Sequence, residues 1–159
     1  MKPTTSRIQS EIKQKRPFRT RRQEAAIALL RTADVVRRRM AKIVEAHGVT
    51  LQQYNVLRIV AGAGKDGIPT LDVAERMIER TPGITRLLDR LEARKLVRRE
   101  RCPSDRRQVL CWLTAPGQEL IREMSGPIDK ADHIAVGDMG GVELDQLIAL
   151  LDSVRGEGE

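Results

Sequence analysis

From Gln23 onward the chain repeats apolar residues at helical spacing. Leu29, Ala33, Val36, Met40, Ile43 and His47 recur every three or four residues, which predicts a long helix with a heptad-like stripe, ending near Gly48. Such a stripe suits packing against a partner helix, including one from a second subunit. Thr50-Leu-Gln-Gln53 has the capping-box pattern, so a second helix starts there, with Leu51, Tyr54, Leu57 and Val60 as its apolar face. Gly62-Ala-Gly-Lys-Asp-Gly67 breaks it. Thr70 is placed to cap a short helix running to about Ile78, with Leu71, Ala74 and Met77 or Ile78 inward. Thr81-Pro82 opens the next helix, with threonine at the N-cap and proline at the first helical position. There Ile84, Leu87, Leu88 and Leu91 take the i, i+3, i+4, i+7 places of a core-facing stripe. Residues Leu96–Cys102 and Gln108–Leu113 read as two short strands joined through Pro103-Ser-Asp105 and the arginines after it. Thr114 caps a further helix to about Met124, where Gly126-Pro127 interrupts it, and a last helix near Val142–Val154 carries Leu144, Leu147, Ile148 and Leu151 on one face. Residues 1–20 contain Pro3 and Pro17, show no helical period, and read as an extended or disordered arm.

Short helix, turn, second helix and basic hairpin is the order of a winged helix-turn-helix, so the fold class is mainly α with a small β-hairpin wing. Composition agrees. The 159 residues suffice for one domain, and with only Phe18, Tyr54 and Trp112 aromatic, Leu, Ile, Val and Ala must fill the core.

Charge changes the picture more. Residues 1–22 hold eight Lys/Arg against one acid, and residues 76–107 hold eleven against five. Residues 108–159 reverse this, with three Lys/Arg against ten acids. A basic arm and a basic middle suit a polyanion, although the arm alone reads equally well as a solvated charge run. Other chemistries find little support. Cys102 and Cys111 form neither a disulfide framework nor a zinc motif, and His47 and His133 stand alone, so no metal and no cofactor is expected. The Gly62–Gly67 segment lacks the Ser/Thr that follows the lysine of a phosphate loop. No Gly-x-Ser-x-Gly or His-Glu-x-x-His is present, so no enzyme is expected. No apolar run approaches the roughly 20 residues of a membrane span, and the first residues lack a signal-peptide core, so a cytoplasmic protein is expected.

Thr81-Pro-Gly-Ile-Thr-Arg-Leu-Leu-Asp-Arg-Leu-Glu92, followed by Leu96-Val97-Arg98-Arg99, resembles the recognition helix and first wing strand of MarR-type regulators. Asp105-Arg-Arg107, then Gln-Val-Leu-Cys-Trp-Leu and Thr114, resembles that family's wing signature. The resemblance covers roughly residues 24–155 and implies helical dimerisation regions at 21–48 and 114–155 and a DNA-binding lobe at 49–113; the arm at 1–20 lies outside it. It implies a bacterial homodimeric repressor on a palindromic operator in double-stranded DNA, nucleoid-associated when bound. It further implies release by a small aromatic or phenolic acid in a cleft near which His47, Tyr54 and Arg58 fall, although Tyr54 also reads as a core residue.

A major groove needs forked or short polar side chains from the first turns of the helix. Thr81 and Thr85 supply hydroxyls, Arg86 has the fork for guanine O6 and N7, and Arg90 has the reach for a base or a phosphate. By resemblance Arg107 enters the minor groove, Asp105 orients it through a charged hydrogen bond, and Arg106 meets phosphate. Asp105 also reads as a turn residue bonding its own backbone. Arg86, Arg90 and Arg94 repeat every four residues, and Arg101 and its neighbours are placed to lower the pKa of Cys102. Two readings remain for the basic surface: a sequence-specific regulator, or a DNA-coating or architectural protein without sequence preference.

Overall fold

A computed structural model describes residues 7–79 and 83–156, and these divide after Arg39 into two compact units. The first holds α1 (Arg7–Glu11) and most of α2 (Arg21–Ala46). The arm expected to be extended is thus helical for one turn. No proline falls within that turn, and Arg7 Nε pairs with Glu11 Oε1 at 2.7 Å across i, i+4. A reciprocal cap starts α2: Thr20 Oγ1 accepts from Gln23 N–H at 3.1 Å, while Gln23 Oε1 accepts from Arg19 N–H at 2.9 Å. Of the predicted stripe, Leu29 and Ala33 are exposed, while Met40 and Ile43, which belong to the second unit, pack against its core.

That second unit continues with α3 (Leu51–Gly62), a 3₁₀ turn (Gly64–Asp66), β1 (Ile68–Pro69), α4 (Thr70–Glu75), α5 (Ile84–Ala93), β2 (Val97–Arg101), β3 (Val109–Leu113), α6 (Ala115–Val136) and α7 (Gly141–Arg155). The predicted capping box is present: Thr50 Oγ1 accepts from Gln53 N–H at 3.2 Å and Gln53 Oε1 from Thr50 N–H at 3.0 Å. Val56, Leu57 and Val60 of α3, Leu88 and Leu91 of α5, Ile68, Val73, Val97, Cys111 and Met124 form the buried core. The sheet is antiparallel in the order β1-β3-β2, with Val97 opposite Leu113 and Arg101 opposite Val109. The two wing strands match expectation; β1, too short to show alternation, was not expected.

Three details differ from the sequence reading. Thr70 is the first residue of α4 rather than its cap, α4 ends at Glu75, and Val73 faces inward while Leu71 and Ile78 are exposed. Ile68 and Pro69, directly before α4, pair with Cys111 and Leu110 of β3, so the start of α4 is fixed by a partner distant in sequence. Second, α5 begins at Ile84 with Gly83 as N-cap; Gly83 has φ +100°, outside helical space, so the helix cannot start earlier. Third, α6 runs unbroken through Gly126-Pro127. Proline there costs one backbone bond, but Met124, Ile128 and Ala131 are all buried on one side of it, and that packing continues across the proline.

Candidate nucleic-acid interface

Burial splits α5 into two faces. Leu87, Leu88 and Leu91 are buried, and Thr85, Arg86, Asp89 and Arg90 are exposed. Arg86 and Arg90 make no side-chain bond to another described residue. Arg94, the third member of the arginine row, is used within the fold: its Nη1 donates to the Gly48 carbonyl at 2.5 Å, tying the end of α5 to the turn before α3. Thr81 lies outside the described residues.

The wing is the β2–β3 ribbon and its turn. Cys102 N–H donates to the Gln108 carbonyl at 2.9 Å and Gln108 N–H to the Asp105 carbonyl at 2.9 Å, which closes the tip. Asp105 Oδ1 accepts from the backbone N–H of Arg107 at 3.0 Å. This is the turn bond to its own backbone that the sequence offered for Asp105, since a short acidic chain readily reaches the N–H two residues on; among the described residues Asp105 makes no bond to the Arg107 side chain. Asp105 still shapes the turn that presents Arg106 and Arg107, both exposed.

Between helix and wing lies a group that no sequence spacing announces. Arg99 of β2 donates from Nε and Nη2 to Glu92 Oε2, at 3.0 and 2.6 Å, and from Nη2 to Asp89 Oδ1 at 2.6 Å. Its backbone N–H meets Glu92 Oε1 at 3.0 Å. Hydrogen bonding to Glu92 above all raises the Arg99 pKa, so this side chain is charged at every working pH. On the opposite face of the ribbon, the Arg98 guanidinium sits 4.2 Å from the Trp112 ring centre, and Trp112 Nε1 donates to the Lys65 carbonyl at 3.1 Å.

The cysteines differ in character. The Ser104 hydroxyl beside Cys102 pulls its thiol below the ordinary value, helped by backbone bonds at Asp105 and Ser104, whereas burial pushes Cys111 up to about 11. The arginines expected to act on Cys102 are not the cause. Iodoacetamide at pH 8 should therefore alkylate Cys102 much faster than Cys111 in the folded protein. Mass spectrometry of timed digests reads this, and equal rates would contradict the assignment.

The three effector candidates are placed apart in role. His47, just past the end of α2, has its Nδ1 2.9 Å from the Ile43 carbonyl of that helix. Tyr54 packs half-buried against the core; burial raises its pKa, Arg58 opposes this, and Asp132 and Asp129 of α6 add to it. Arg58 is exposed and donates from Nη2 to Asn55 Oδ1 at 3.2 Å.

Comparison with known proteins follows the same lines. Residues 47–108 match the model of the MarR family. The chain is 32% identical over 107 residues to the transcriptional regulator HosA of Escherichia coli O111:H-, covering 67% of this chain and 78% of that one. Among solved structures it is similar to a MarR transcription factor from Planctomyces limnophilus, with 36% identity, a TM-score of 0.65, and coverage of 85% of this chain and 98% of the other. It shares its fold with S. aureus MepR, solved as a DNA complex, at 24% identity and a TM-score of 0.71 over 79% of this chain and 92% of that one. No helix among the described residues is long and apolar enough to cross a membrane.

Proposed function

The chain belongs to the MarR family of transcriptional regulators, DNA-binding proteins rather than enzymes, and from that premise we propose that it is a homodimeric repressor of a palindromic operator. The observation that carries this reading is the pair of exposed cationic elements, α5 with Arg86 and Arg90 and the wing tip with Arg106 and Arg107, raised on one buried core. In this reading Thr81, Thr85 and Arg86 read base edges in the major groove, and Arg90 and Arg106 meet phosphates or a neighbouring base. Arg107 enters the minor groove, where negative potential concentrates. Residues 21–48 and 114–155 pair the subunits. Supporting this, α7 has no buried residue within one chain, and Ile148 and Val154 are 56% and 67% exposed. Repression follows from occupying a promoter in the bacterial cytoplasm.

An aromatic or phenolic acid as releasing ligand remains part of this proposal. At Tyr54 its carboxylate depends on Arg58, since Asp129 and Asp132 repel an anion there.

Arg86→Ala should cost roughly 1–3 kcal/mol on the preferred duplex and much less on a random one. Arg107→Ala should cost a similar amount, roughly 1–3 kcal/mol, without changing helical content. Deleting residues 1–20, with six Lys/Arg, should flatten the log–log salt dependence by about 0.9 for each phosphate the arm neutralises, and should weaken all sequences alike. Titration of both duplexes at several salt concentrations reads all three. Equal losses on both duplexes for Arg86→Ala would mean that α5 does not read bases through Arg86, a wild type without preference between the duplexes would favour the coating-protein reading, and an unchanged salt slope after the deletion would remove the arm from the DNA surface.

A further inference from the structure

We propose that Arg99 is a positioning residue that locks the wing to the recognition helix, so that α5 and the wing tip meet DNA as one rigid body. The proposal rests on the DNA-binding reading above. The covalent link between the two elements is only Arg94-Lys95-Leu96, with Lys95 at φ +58°. A three-residue turn sets where β2 begins, and buried Leu96, Val97 and Cys111 anchor the base of the ribbon in the core without fixing the angle of its outer part. Beyond its pairing with β1, the wing is a two-stranded ribbon, which has little stiffness of its own.

Arg99 adds a polar brace to this apolar anchoring. It stands opposite the buried Cys111 on the sheet face turned to α5, and its side chain is only 19% exposed. One planar guanidinium bridges two carboxylates a turn apart on α5, and the backbone N–H of the same residue grips the second oxygen of Glu92. Four bonds from one residue fix angle as well as distance. Lysine could not do this, because it presents a point charge without a fork.

The placement of Asp89 ties this brace to the helix face that carries Arg86 and Arg90. Asp89 lies on the exposed face of α5 with Arg86 and Arg90, where an uncompensated carboxylate would repel phosphate. Arg99 neutralises it at 2.6 Å while drawing it toward the wing. Helix and wing are then offered to DNA in fixed relation, and docking one brings the other into place without further ordering.

The test compares one loss in two backgrounds. On the operator selected from random duplexes, Arg107→Ala should lower affinity about tenfold in the wild type, the scale of removing one specific side chain from such an interface. In the Arg99→Gln background the same substitution should cost only about two- to threefold, because an unbraced wing contributes less. A loss that only reflected weaker folding would leave the Arg107→Ala ratio unchanged, and an equal ratio in both backgrounds overturns the proposal. If Arg99→Gln does not fold, Glu92→Gln keeps the shape and carries the same comparison with the same two outcomes. If Arg107→Ala has no effect in the wild type, the DNA-binding role of the wing fails first, and the brace with it.

Discussion

Leu147→Asp should convert the protein to a monomer and lower operator affinity by about a hundredfold or more. Linking two half-site interactions through a dimer raises affinity by about 10²–10⁴ over one, and a monomer forfeits that gain. An unpaired carboxylate buried in an apolar interface costs several kcal/mol, roughly 3–5 by analogy with a broken buried pair. Leu147 is half-buried within one chain, beside half-buried Leu144 and Leu151 and exposed Ile148, so the subunit fold should survive the change. Light scattering should give the monomer mass with unchanged helical content. A dimer of wild-type affinity would show that this face of α7 does not pair subunits.

Gly117→Ala, at the start of α6 where it meets the DNA-binding lobe, should destabilise the fold by about 3 kcal/mol or more. A Cβ at Gly117 would sit 2.0 Å from the Leu96 carbonyl oxygen and 3.0 Å from its carbon. Both partners are backbone, so no rotamer relieves the clash. The same carbonyl accepts from Thr114 N–H at 3.1 Å, and Gly117 N–H donates to Thr114 Oγ1 at 3.2 Å, so the start of α6 cannot retreat without losing its cap. Urea unfolding of the variant reads the loss. A change below about 1 kcal/mol, within the range of ordinary surface substitutions, would mean that the helix start is far softer than its bonds imply.

Strong local signals in the chain carried over into the fold. The Thr50–Gln53 capping box, the Ile84–Leu91 stripe and the two wing strands each rest on residues within a few positions of one another, and each appears where expected. What was not legible depends on distant partners. Pro127 reads as a helix breaker until Met124, Ile128 and Ala131 are seen buried around it. Leu71 reads as core, yet it is exposed and Val73 buried, on a helix whose start the pairing of β1 with β3 fixes. At the candidate site, the exposed arginines of α5 and the wing were visible in the residue pattern. The diversion of Arg94 to the Gly48 carbonyl and the bridging of Asp89 and Glu92 by Arg99 were not, since both join elements whose approach only the fold decides. Asp105 stands between these cases: of its two readings, the structure shows the turn bond to the Arg107 backbone.

The central claim is that two copies of α5 and of the wing read one symmetric site. Two-fold symmetry then requires inverted half-sites, with centres about one helical turn, 10–10.5 base pairs, or a multiple of it apart. Selection of binders from random duplexes, followed by sequencing, measures this directly. The account predicts a palindrome of that spacing, bound by two subunits per duplex. Recovery of unrelated sequences with no shared motif, bound as tightly as any other, would contradict it.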